Sequence, residues 1–547
     1  MKKNLLAVFL LLTFVFQSAA LAQTAARANS PARNAAENIT AAQLKDYLYF
    51  VASDEMEGRD TPSRGLDTTA KFMGMMLSRW GFKPAGDDGT FYQKMALLRE
   101  TPDPQNSKLA IGGQTINYGE DYFRMSGSSN SMISAPLVYG GNGWFFKAKG
   151  IDALQNVDAK GKIVVLYNSG APTRAFATAL PKGVVQADFT GERGKDWVDP
   201  LTYAKQKGAV GVIVVASNEA QKDWKTLSTP PTAPRPFVEK FRTEVSLPTI
   251  FVSQKVGDML FADASKAPYR MTDSTAIAFN TTKNVGFNAA IKQERVYTQN
   301  VVALWEGSDP TLKNEMVAVG AHYDHVGMNP NAKSDDKIWN GADDDGSGTV
   351  AVLAMAEALA KSPQKPKRSI LLVWHAGEEK GLWGSEYFNK FPTVNIKNVV
   401  TQLNIDMIGR SKKAGDTNPK NKDLSGESEV YVIGSQMMSS KLGEITKSIN
   451  DSYLKLGYDY RYDDPKDTNR FFFRSDHFNY AINGIPIVFW FDGVHEDYHQ
   501  PGDHADKIDY QKMEKVARTI FLTMWEVADL AQRPAVDKQL PPELTRR

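Results

Sequence analysis

The chain has 547 residues, too many for one ordinary hydrophobic core, and this length predicts roughly two to four folding units. Hydrophobic residues make up 42% and aromatic residues 10%, which excludes a wholly disordered chain. The 65 Lys and Arg residues nearly balance the 63 Asp and Glu residues, so we expect no nucleic-acid partner. Cysteine is absent, which excludes disulfides, thiolate zinc ligands and a cysteine nucleophile.

The N-terminus has the features of a secretory signal peptide. Lys2 and Lys3 precede a short apolar run, Leu5–Phe16, and Ala-Leu-Ala at 20–22 fits a small-x-small cleavage site. The alternative is a membrane anchor, but the run is shorter than the ~20 residues that a spanning helix needs. We therefore predict removal of residues 1–22, a periplasmic or secreted protein, and no stable insertion in a membrane.

The next part of the chain alternates between polar and helical patterns. Residues 23–37 are small and polar, and we expect a flexible leader there. Apolar residues recur at helical spacing from Ala41 in AAQLKDYLYFVAS and again in LDTTAKFMGMMLSRWGF, where Gly81 can end the helix. The stretch SDEMEGRDTPSRG between them predicts a loop.

Residues 130–280 have the composition of an inserted, β-rich α/β domain. Short apolar runs, KIVVLY, AVGVIVVAS and PTIFVS, predict strands, and DPLTYAKQKG between two of them predicts a helix. The segment contains no histidine and no dense carboxylate cluster. We therefore expect an accessory domain rather than the catalytic one.

The remaining segments, 38–129 and 281–535, predict one discontinuous α/β domain, followed by a tail at 536–547. From about Asn284, nearly continuous apolar strands such as EMVAVGAH, RSILLVWHA and IPIVFWFD alternate with helical stretches. This alternation indicates a mainly parallel mixed sheet flanked by helices.

All seven histidines lie between residues 322 and 504, and several stand next to carboxylates at predicted strand ends. Ligands and catalytic groups collect at the carboxyl ends of strands in open α/β sheets. Histidine and carboxylate together are the usual ligands of a divalent transition metal. The pattern therefore predicts a metalloenzyme. The segments concerned contain His322, residues 343–345, Glu378 with Glu379, Asp406 and His499.

Each segment taken alone also has an ordinary structural explanation. His322 and Asp324 share a face in extended backbone, so Asp324 can orient the imidazole, but HYDH also fits a solvated turn. In GADDDGSG one aspartate can lie between two cations, or all three can simply face a helix N-terminus. An EF-hand is excluded, because position twelve from Asp343 is Ala354 and not Glu.

The adjacent carboxylates Glu378 and Glu379 fit a division of work in which one binds metal and the other takes a proton. A surface turn is the alternative. Asp406 ends an apolar run, where it is either bound to metal or satisfied by backbone N–H groups. His499 is either a ligand or a plain loop residue, and His325 is left open. We expect structural or hydrogen-bonding roles for the other histidines, His375, His477, His495 and His504.

The ordered motifs HYD, GADDDGSG, GEE, NID and YHQPGD resemble the co-catalytic di-zinc aminopeptidase family, which includes bacterial leucyl aminopeptidases and glutamate carboxypeptidase-like enzymes. The likeness covers roughly residues 282–535 and extends to SDEMEGRDTPSRG, and the insertion resembles a protease-associated domain. It implies a zinc exopeptidase-like fold and two Zn²⁺ ions. The implied ligands are His322, Asp343 and Asp406 for one ion, and Asp343, Glu379 and His499 for the other.

The resemblance further implies hydrolysis of N-terminal residues from peptide substrates, with Glu378 activating a water shared by the two metals. Relatives often have a tyrosine that stabilises the oxyanion; here FFFR precedes SDH, so Tyr498, Tyr462 or a metal would serve. The alternatives are a carboxypeptidase or dipeptidase, a glutaminyl cyclase-like acyltransferase, and a non-catalytic receptor-like protein. The sequence does not indicate the oligomeric state.

Overall fold

The structure, a computed structural model, describes residues 30–125, 127–167, 178–229, 235–242, 246–261 and 279–545. The chain forms two compact units: unit 1 is Met1–Ala96 with Tyr297–Arg547, and unit 2 is Leu97–Val296. The predicted signal peptide lies outside the described residues. No helix in the described ranges is both long enough and apolar enough to cross a membrane.

The N-terminal part of unit 1 is mainly helical, with α1 Pro31–Ala36, α2 Ala41–Val51, α3 Arg64–Arg79, β1 Lys83–Pro84 and the start of β2 Tyr92–Pro102. The helix α1 corrects the predicted flexible leader at 23–37 for residues 31–36 only, since residues 23–29 lie outside the described residues. Ser30 accepts the N–H of Arg33, Pro31 occupies the first turn, and Ala35 and Ala36 are buried. An N-cap and a buried face are enough to order this short polar segment.

Unit 2 is built on a mixed eight-stranded sheet in the order β4-β3-β14-β6-β9-β11-β13-β5, in which β6, β9, β11 and β13 run parallel. The predicted strands KIVVLY, AVGVIVVAS and PTIFVS form β9, β11 and β13. Within residues 97–296 the strands of this sheet are β3 Lys108–Ile111, β4 Gln114–Thr115, β5 Tyr122–Arg124, β6 Met132–Tyr139, β9 Ile163–Tyr167, β11 Gly211–Val215, β13 Thr249–Val252 and β14 Phe279–Asn288. Four short strands lie outside it: β7 Phe145–Phe146, β8 Ile151–Asp152, β10 Trp197–Val198 and β12 Phe237–Val238.

The helices of unit 2 are α4 Pro200–Gln206, α5 Asn218–Lys222, α6 Trp224–Ser228 and α7 Gln254–Leu260. The unit is wider than the predicted 130–280, because β3 and β4 extend its sheet beyond β14. Apolar side chains from the central strands cover both faces of this sheet and form two separate cores.

The C-terminal part of unit 1 contains the remaining elements. The strands are β15 Ile291–Trp305, β16 Met316–His322, β17 Gly327–Met328, β18 Ile338–Trp339, β19 Ser369–His375, β20 Val399–Ile405, β21 Glu429–Ile433, β22 Gly457–Asp459 and β23 Ile487–Phe491. The helices are α8 Gly348–Lys361, α9 Trp383–Lys390, α10 Ser440–Ser452, α11 His477–Ile482 and α12 Tyr510–Asp529.

The sheet of unit 1 contains the consecutive strands β15-β19-β16-β20-β23-β21-β22, and β1 also pairs with β15. Its centre, β19-β16-β20-β23, is parallel, whereas β15 and β21 run antiparallel to their inner neighbours. The predicted mainly parallel mixed sheet is confirmed. Every residue of β16, β19 and β20 is buried, in agreement with their continuous apolar runs. Leu540 and Leu544 of the predicted tail are also buried.

Candidate metal centre

The carboxyl ends of the central strands bring the predicted site residues to one edge of the unit 1 sheet. His322 is the last residue of β16, and Asp406 directly follows β20. Glu378 and Glu379 lie in the loop after β19, and His499 lies in the loop after β23. This convergence results from the parallel register, in which His322 stands beside His375 on the neighbouring strand.

The first donor group consists of His322, Asp344 and Asp406, whose ligand atoms all lie within 4.8 Å of one another. His322 Nε2 is 3.3 Å from Asp344 Oδ1 and 3.6 Å from Asp406 Oδ1. The other ring nitrogen, Nδ1, hydrogen-bonds the backbone oxygen of Asp324 at 3.1 Å. That bond leaves the lone pair of Nε2 directed at the two carboxylates.

The second donor group uses the other oxygen of Asp344. His499 Nε2 lies 3.0 Å from Asp344 Oδ2 and 3.0 Å from Glu379 Oε1. His325 Nδ1 lies 3.1 Å from the same Glu379 oxygen and 3.7 Å from Asp344 Oδ2. Two histidines therefore approach this position, His499 more closely, and His325, whose role the sequence left open, belongs to the group.

The structure corrects the predicted donor role of Asp343: Asp344, and not Asp343, belongs to both donor groups. Asp343 Oδ1 accepts the N–H of Gly409 at 2.7 Å, and its Oδ2 lies 3.2 Å from His495 Nε2. The segment Ala342–Ser347 is irregular, with non-helical backbone angles at Asp344. Successive carboxylates in such a segment point in different directions, so the pattern DDD does not indicate which one lies between the two donor groups.

The chemistry of the donors fits a metal ion. Asp344 Oδ2, Glu379 Oε1 and both ring nitrogens of His325 are buried and have no hydrogen-bond partner among the described residues. Buried polar atoms without partners are costly unless something else satisfies them. Bonds of roughly 2.0–2.2 Å from zinc to nitrogen and carboxylate oxygen place neighbouring ligand atoms about 3.3 Å apart, close to the separations found here.

Two further aspartates support these groups without joining them. The Asp324 carboxylate stands 3.7 Å from His322 Nδ1, beyond hydrogen-bond length, and instead accepts the N–H of Glu378 at 3.1 Å. The prediction that the Asp324 side chain orients the imidazole is thus corrected: its backbone oxygen does so. Asp345, which the sequence did not single out, accepts the N–H groups of His322, Gly348 and Met407.

The electrostatics of the site separate its carboxylates. Burial raises the pKa of Glu378 well above its usual range, and the charges of Glu379 and Asp406 raise it further, although His322 opposes this. Burial also acts to raise the pKa of Asp344, but the neighbouring His322 and His499 outweigh it and lower that pKa well below the ordinary value. The Asp344 carboxylate is therefore the weaker base of the two, and Glu378 has the higher affinity for a proton.

The remaining histidines have structural surroundings, as expected. His375 hydrogen-bonds the hydroxyl of Tyr480 at 3.0 Å, and His504 bonds Asp336 at 2.9 Å. The His477 ring stacks on Phe489 with the ring centres 4.5 Å apart. His495 approaches the carboxylate of Asp343 and no donor of either group.

Comparison with known proteins agrees with this geometry. Residues 300–524 match the sequence profile of Peptidase family M28, and residues 133–260 match that of the PA domain. The matched segment, residues 300–524, is therefore assigned to Peptidase family M28. The M28 match lies within unit 1 and includes every residue of the two donor groups, while the PA match lies within unit 2.

The M28 segment is also similar to curated proteins. A "Probable leucine aminopeptidase" of Arthroderma otae is 31% identical over 229 residues, which cover 40% of this chain and 56% of that protein. "Aminopeptidase Y" of Saccharomyces cerevisiae is 28% identical over 232 residues, covering 42% and 36%. The chain spans about half the length of the first curated relatives it matches. The solved "Aminopeptidase from Aneurinibacillus sp. strain AM-1" is 17% identical with a TM-score of 0.46, covering 94% of this chain and 98% of that one.

Proposed function

We propose that this chain, with its M28 segment, is a zinc-dependent aminopeptidase that binds two Zn²⁺ ions through a shared Asp344. The observation that supports this most strongly is the placement of the Asp344 carboxylate. One oxygen faces His322 and the other faces His499, each 3.0–3.3 Å away. Asp406 completes the first donor group and Glu379 the second.

The residues around this carboxylate support a hydrolytic mechanism. Two zinc ions, when bound, lower the pKa of a water molecule and polarise the scissile carbonyl. Glu378 Oε2 lies 3.9 Å from His322 Nε2, and burial moves its pKa toward the range of an effective general base. Glu378 takes a proton from the attacking water and returns it to the departing amine. Asp324 holds the backbone of Glu378 through the 3.1 Å bond to its N–H.

The cleft beside Glu378 supports a substrate with an apolar N-terminal side chain. The apolar side chains that line it are Met407, Phe471, Phe489, Phe491 and Val494.

The same cleft contains a candidate for stabilising the oxyanion. Arg474 stands at this cleft and donates to the hydroxyl of Tyr498 at 3.3 Å. Burial raises the pKa of Tyr498, so its phenol keeps the proton that an oxyanion would accept as a hydrogen bond. Tyr462 packs against Phe471 in the core and is less suited to this role.

Hydrolysis of aminoacyl-nitroanilides tests this function. We expect activity on substrates with a free amine, loss of activity with a chelator, and recovery on addition of zinc. Cleavage of N-blocked peptides from the C-terminus would instead indicate a carboxypeptidase, and cyclisation of N-terminal glutamine without peptide loss would indicate an acyltransferase. A protein that binds zinc but processes none of these substrates contradicts an enzymatic role.

We also propose that the protein is exported and that residues 1–22 are removed. The charged start, the short apolar run and the small-residue site at 20–22 support this. N-terminal sequencing of protein recovered outside the cytoplasm should begin at Gln23. A mature protein that still begins at Met1 would contradict the proposal.

A further inference from the structure

We propose that Arg59 and Asp503 act as a clamp that fixes the backbone of residues 340–344 and thereby positions the Asp344 carboxylate between its two donor groups. Neither residue is itself a donor in those groups. The proposal deepens the proposed function and rests on it, because the clamp is assigned to the same metal site.

Arg59 holds the carbonyl side of this backbone. Its guanidinium donates to the oxygens of Asn340 at 2.7 Å and Gly341 at 2.8 Å. It also donates to Tyr323 O at 2.9 Å, in the loop that begins after His322. Arg59 is completely buried, and all these acceptors are backbone carbonyls. The Arg59 side chain thus joins the loop that follows His322 to the loop that carries Asp344.

Asp503 holds the amide side. Its carboxylate accepts the N–H of Asp343 at 3.0 Å and that of Asp344 at 3.1 Å, and its backbone oxygen accepts the N–H of Ala342 at 3.0 Å. Consecutive N–H groups around one carboxylate form an anion-binding nest. Asp503 is completely buried and lies in the same loop as His499, so it ties the His499 loop to Asp344.

The irregular backbone explains why a clamp is needed. Residues 342–347 do not form an ordinary α-helix, so their buried polar groups need other partners. The buried guanidinium of Arg59 contacts carbonyl oxygens, which carry partial negative charge. The buried carboxylate of Asp503 contacts N–H groups, which carry partial positive charge. Burial lowers the pKa of Arg59 to about 10, but Asp324, Asp503 and Asp344 act against this, so it remains charged at neutral pH.

The chain reaches this geometry through unusual backbone before Arg59. Glu57, Gly58 and Arg59 all have positive φ angles, of 52°, 63° and 48°. A side chain at Gly58 would place its Cβ 2.4 Å from the oxygen of Trp339 and 2.5 Å from that of Gly327. The polypeptide therefore passes close to the backbone of Gly327 and Trp339. The contacts of Arg59 offset the energetic cost of this conformation.

Zinc binding by the full-length protein tests the clamp apart from catalysis. We would measure zinc content after dialysis, zinc affinity by calorimetry and the visible spectrum of the Co²⁺ form for wild type, Arg59→Gln, Arg59→Lys and Asp503→Asn. Partners of metal ligands typically contribute roughly 10–100-fold to metal affinity. We expect losses of that size and a changed Co²⁺ spectrum in all three variants, with kcat reduced more than KM is raised.

Arg368→Gln is the matched control for removing a buried arginine. Arg368 is 1% exposed, donates to the carbonyls of Ala528 and Leu530, and pairs with Glu315 rather than with any metal-site residue. We expect Arg368→Gln to lose stability but to bind zinc as wild type does. Arg59→Lys keeps the charge but not the planar fork, so it should not rescue binding.

Failure of the proposed function and failure of the clamp alone would give different zinc-binding results. If wild type binds no zinc, the proposed function fails together with the clamp. If wild type binds two ions, and Arg59→Gln, Arg59→Lys and Asp503→Asn bind them with unchanged affinity and spectrum, the clamp alone is wrong. Full rescue by Arg59→Lys also overturns it, because charge alone would then suffice. If Arg59→Gln does not fold, Asp503→Asn decides by the same criteria.

Discussion

Glu378 and Glu379 are neighbours in sequence but have different surroundings, and this difference assigns their roles. Burial raises the pKa of Glu379, but the adjacent His325 and His499 outweigh this and lower it. Glu378 has no such pair of imidazoles, and its nearest ring nitrogen, on His322, is 3.9 Å away. Glu379 is therefore the better donor to a cation and Glu378 the better acceptor of a proton.

Replacing each glutamate by glutamine should separate the two roles. Glu378→Gln removes the base, so we expect kcat to fall by at least roughly 10²–10⁴-fold while zinc content stays at the wild-type level. Glu379→Gln should instead lower the zinc content. Metal analysis and steady-state kinetics on the same preparations provide the measurement. Full activity of Glu378→Gln with metal bound would show that another group is the base.

His477 gives a prediction about acid stability. Burial lowers its pKa to about 3 from a usual 6.5, so the folded protein holds a neutral ring where the unfolded chain binds a proton. The stability from this group is fully present above pH 6.5 and is lost as the pH falls towards 3, by about 1.4 kcal/mol per pH unit. His477→Phe keeps a ring beside Phe489 and should flatten that loss.

Urea unfolding of wild type and His477→Phe between pH 4 and 7 measures the effect. His504→Gln is the control, because this histidine lies at the surface beside Asp336. We expect the control to follow the wild-type dependence on pH. An equal slope for His477→Phe and wild type would show that His477 is not the group that titrates.

At the residue scale, the sequence predicts donor types better than donor identity. Parallel strands bring the residues after their carboxyl ends to one edge of the sheet, so His322, Asp406 and His499 are candidates from their position, whereas their ligand roles come from the family resemblance. The choice between Asp343 and Asp344 depends on Arg59 and Asp503. Arg59 is 281 residues from Asn340, whose carbonyl it holds, and Asp503 is 159 residues from Asp344, whose N–H it accepts. No local pattern contains that information.

Among the secondary-structure elements, the junction between helix α8 and strand β20 fixes the geometry of the segment Ala342–Ser347. Gly348 begins α8 and donates its N–H to Asp345 at 2.8 Å. A Cβ at this glycine would lie 2.5 Å from Asp345 Oδ1 and 2.6 Å from the backbone oxygen of Ile405. The close approach of helix and strand therefore requires glycine.

Gly348→Ala should push α8 away from β20 and disturb the support that Asp345 gives to His322. We expect a loss of stability of about 1–3 kcal/mol, as in other overpacked cores, together with weaker zinc binding. Gly286→Ala is the control, because a Cβ there would meet only ordinary contacts of 3.5 Å or more. Thermal melting and zinc titration would detect the change, and wild-type values for Gly348→Ala would contradict this account of the junction.

The sequence patterns found the central strands and the long helices but did not identify β21, α10 or β22. The central strands are buried on both faces, and this gives them unbroken apolar runs. β21 has five residues and β22 three, and they lie at one end of the sheet order. The strand β21 depends on pairing with β23, which is distant in sequence, and β22 depends on pairing with β21.

At the scale of the whole molecule, unit 1 gathers many buried carboxylates in one place without any cysteine or disulfide to stabilise it. Burial raises the pKa of Asp345, Glu378 and Asp406, which shows that their charged forms are costly in the metal-free protein. Bound cations would offset this cost. Metal binding should therefore contribute directly to the stability of unit 1.

Zinc should accordingly raise the melting temperature of chelator-treated protein. A ligand that binds only the folded state adds about 2.7 kcal/mol at a free concentration one hundred times its Kd. Scanning calorimetry of the full chain at increasing free zinc would show the transition move upward. Mg²⁺ is the control ion, because nitrogen donors suit it poorly. A transition that ignores zinc would show that the cluster is stable without metal.

Anomalous diffraction at the zinc absorption edge would show whether two cations share Asp344. We predict two peaks about 3.5–4 Å apart on opposite sides of the Asp344 carboxylate, one beside His322 and one beside His499. Crystals of Asp344→Asn should lose at least one peak, while those of Asp343→Asn should keep both. A single peak, or peaks that flank Asp343, would contradict the account.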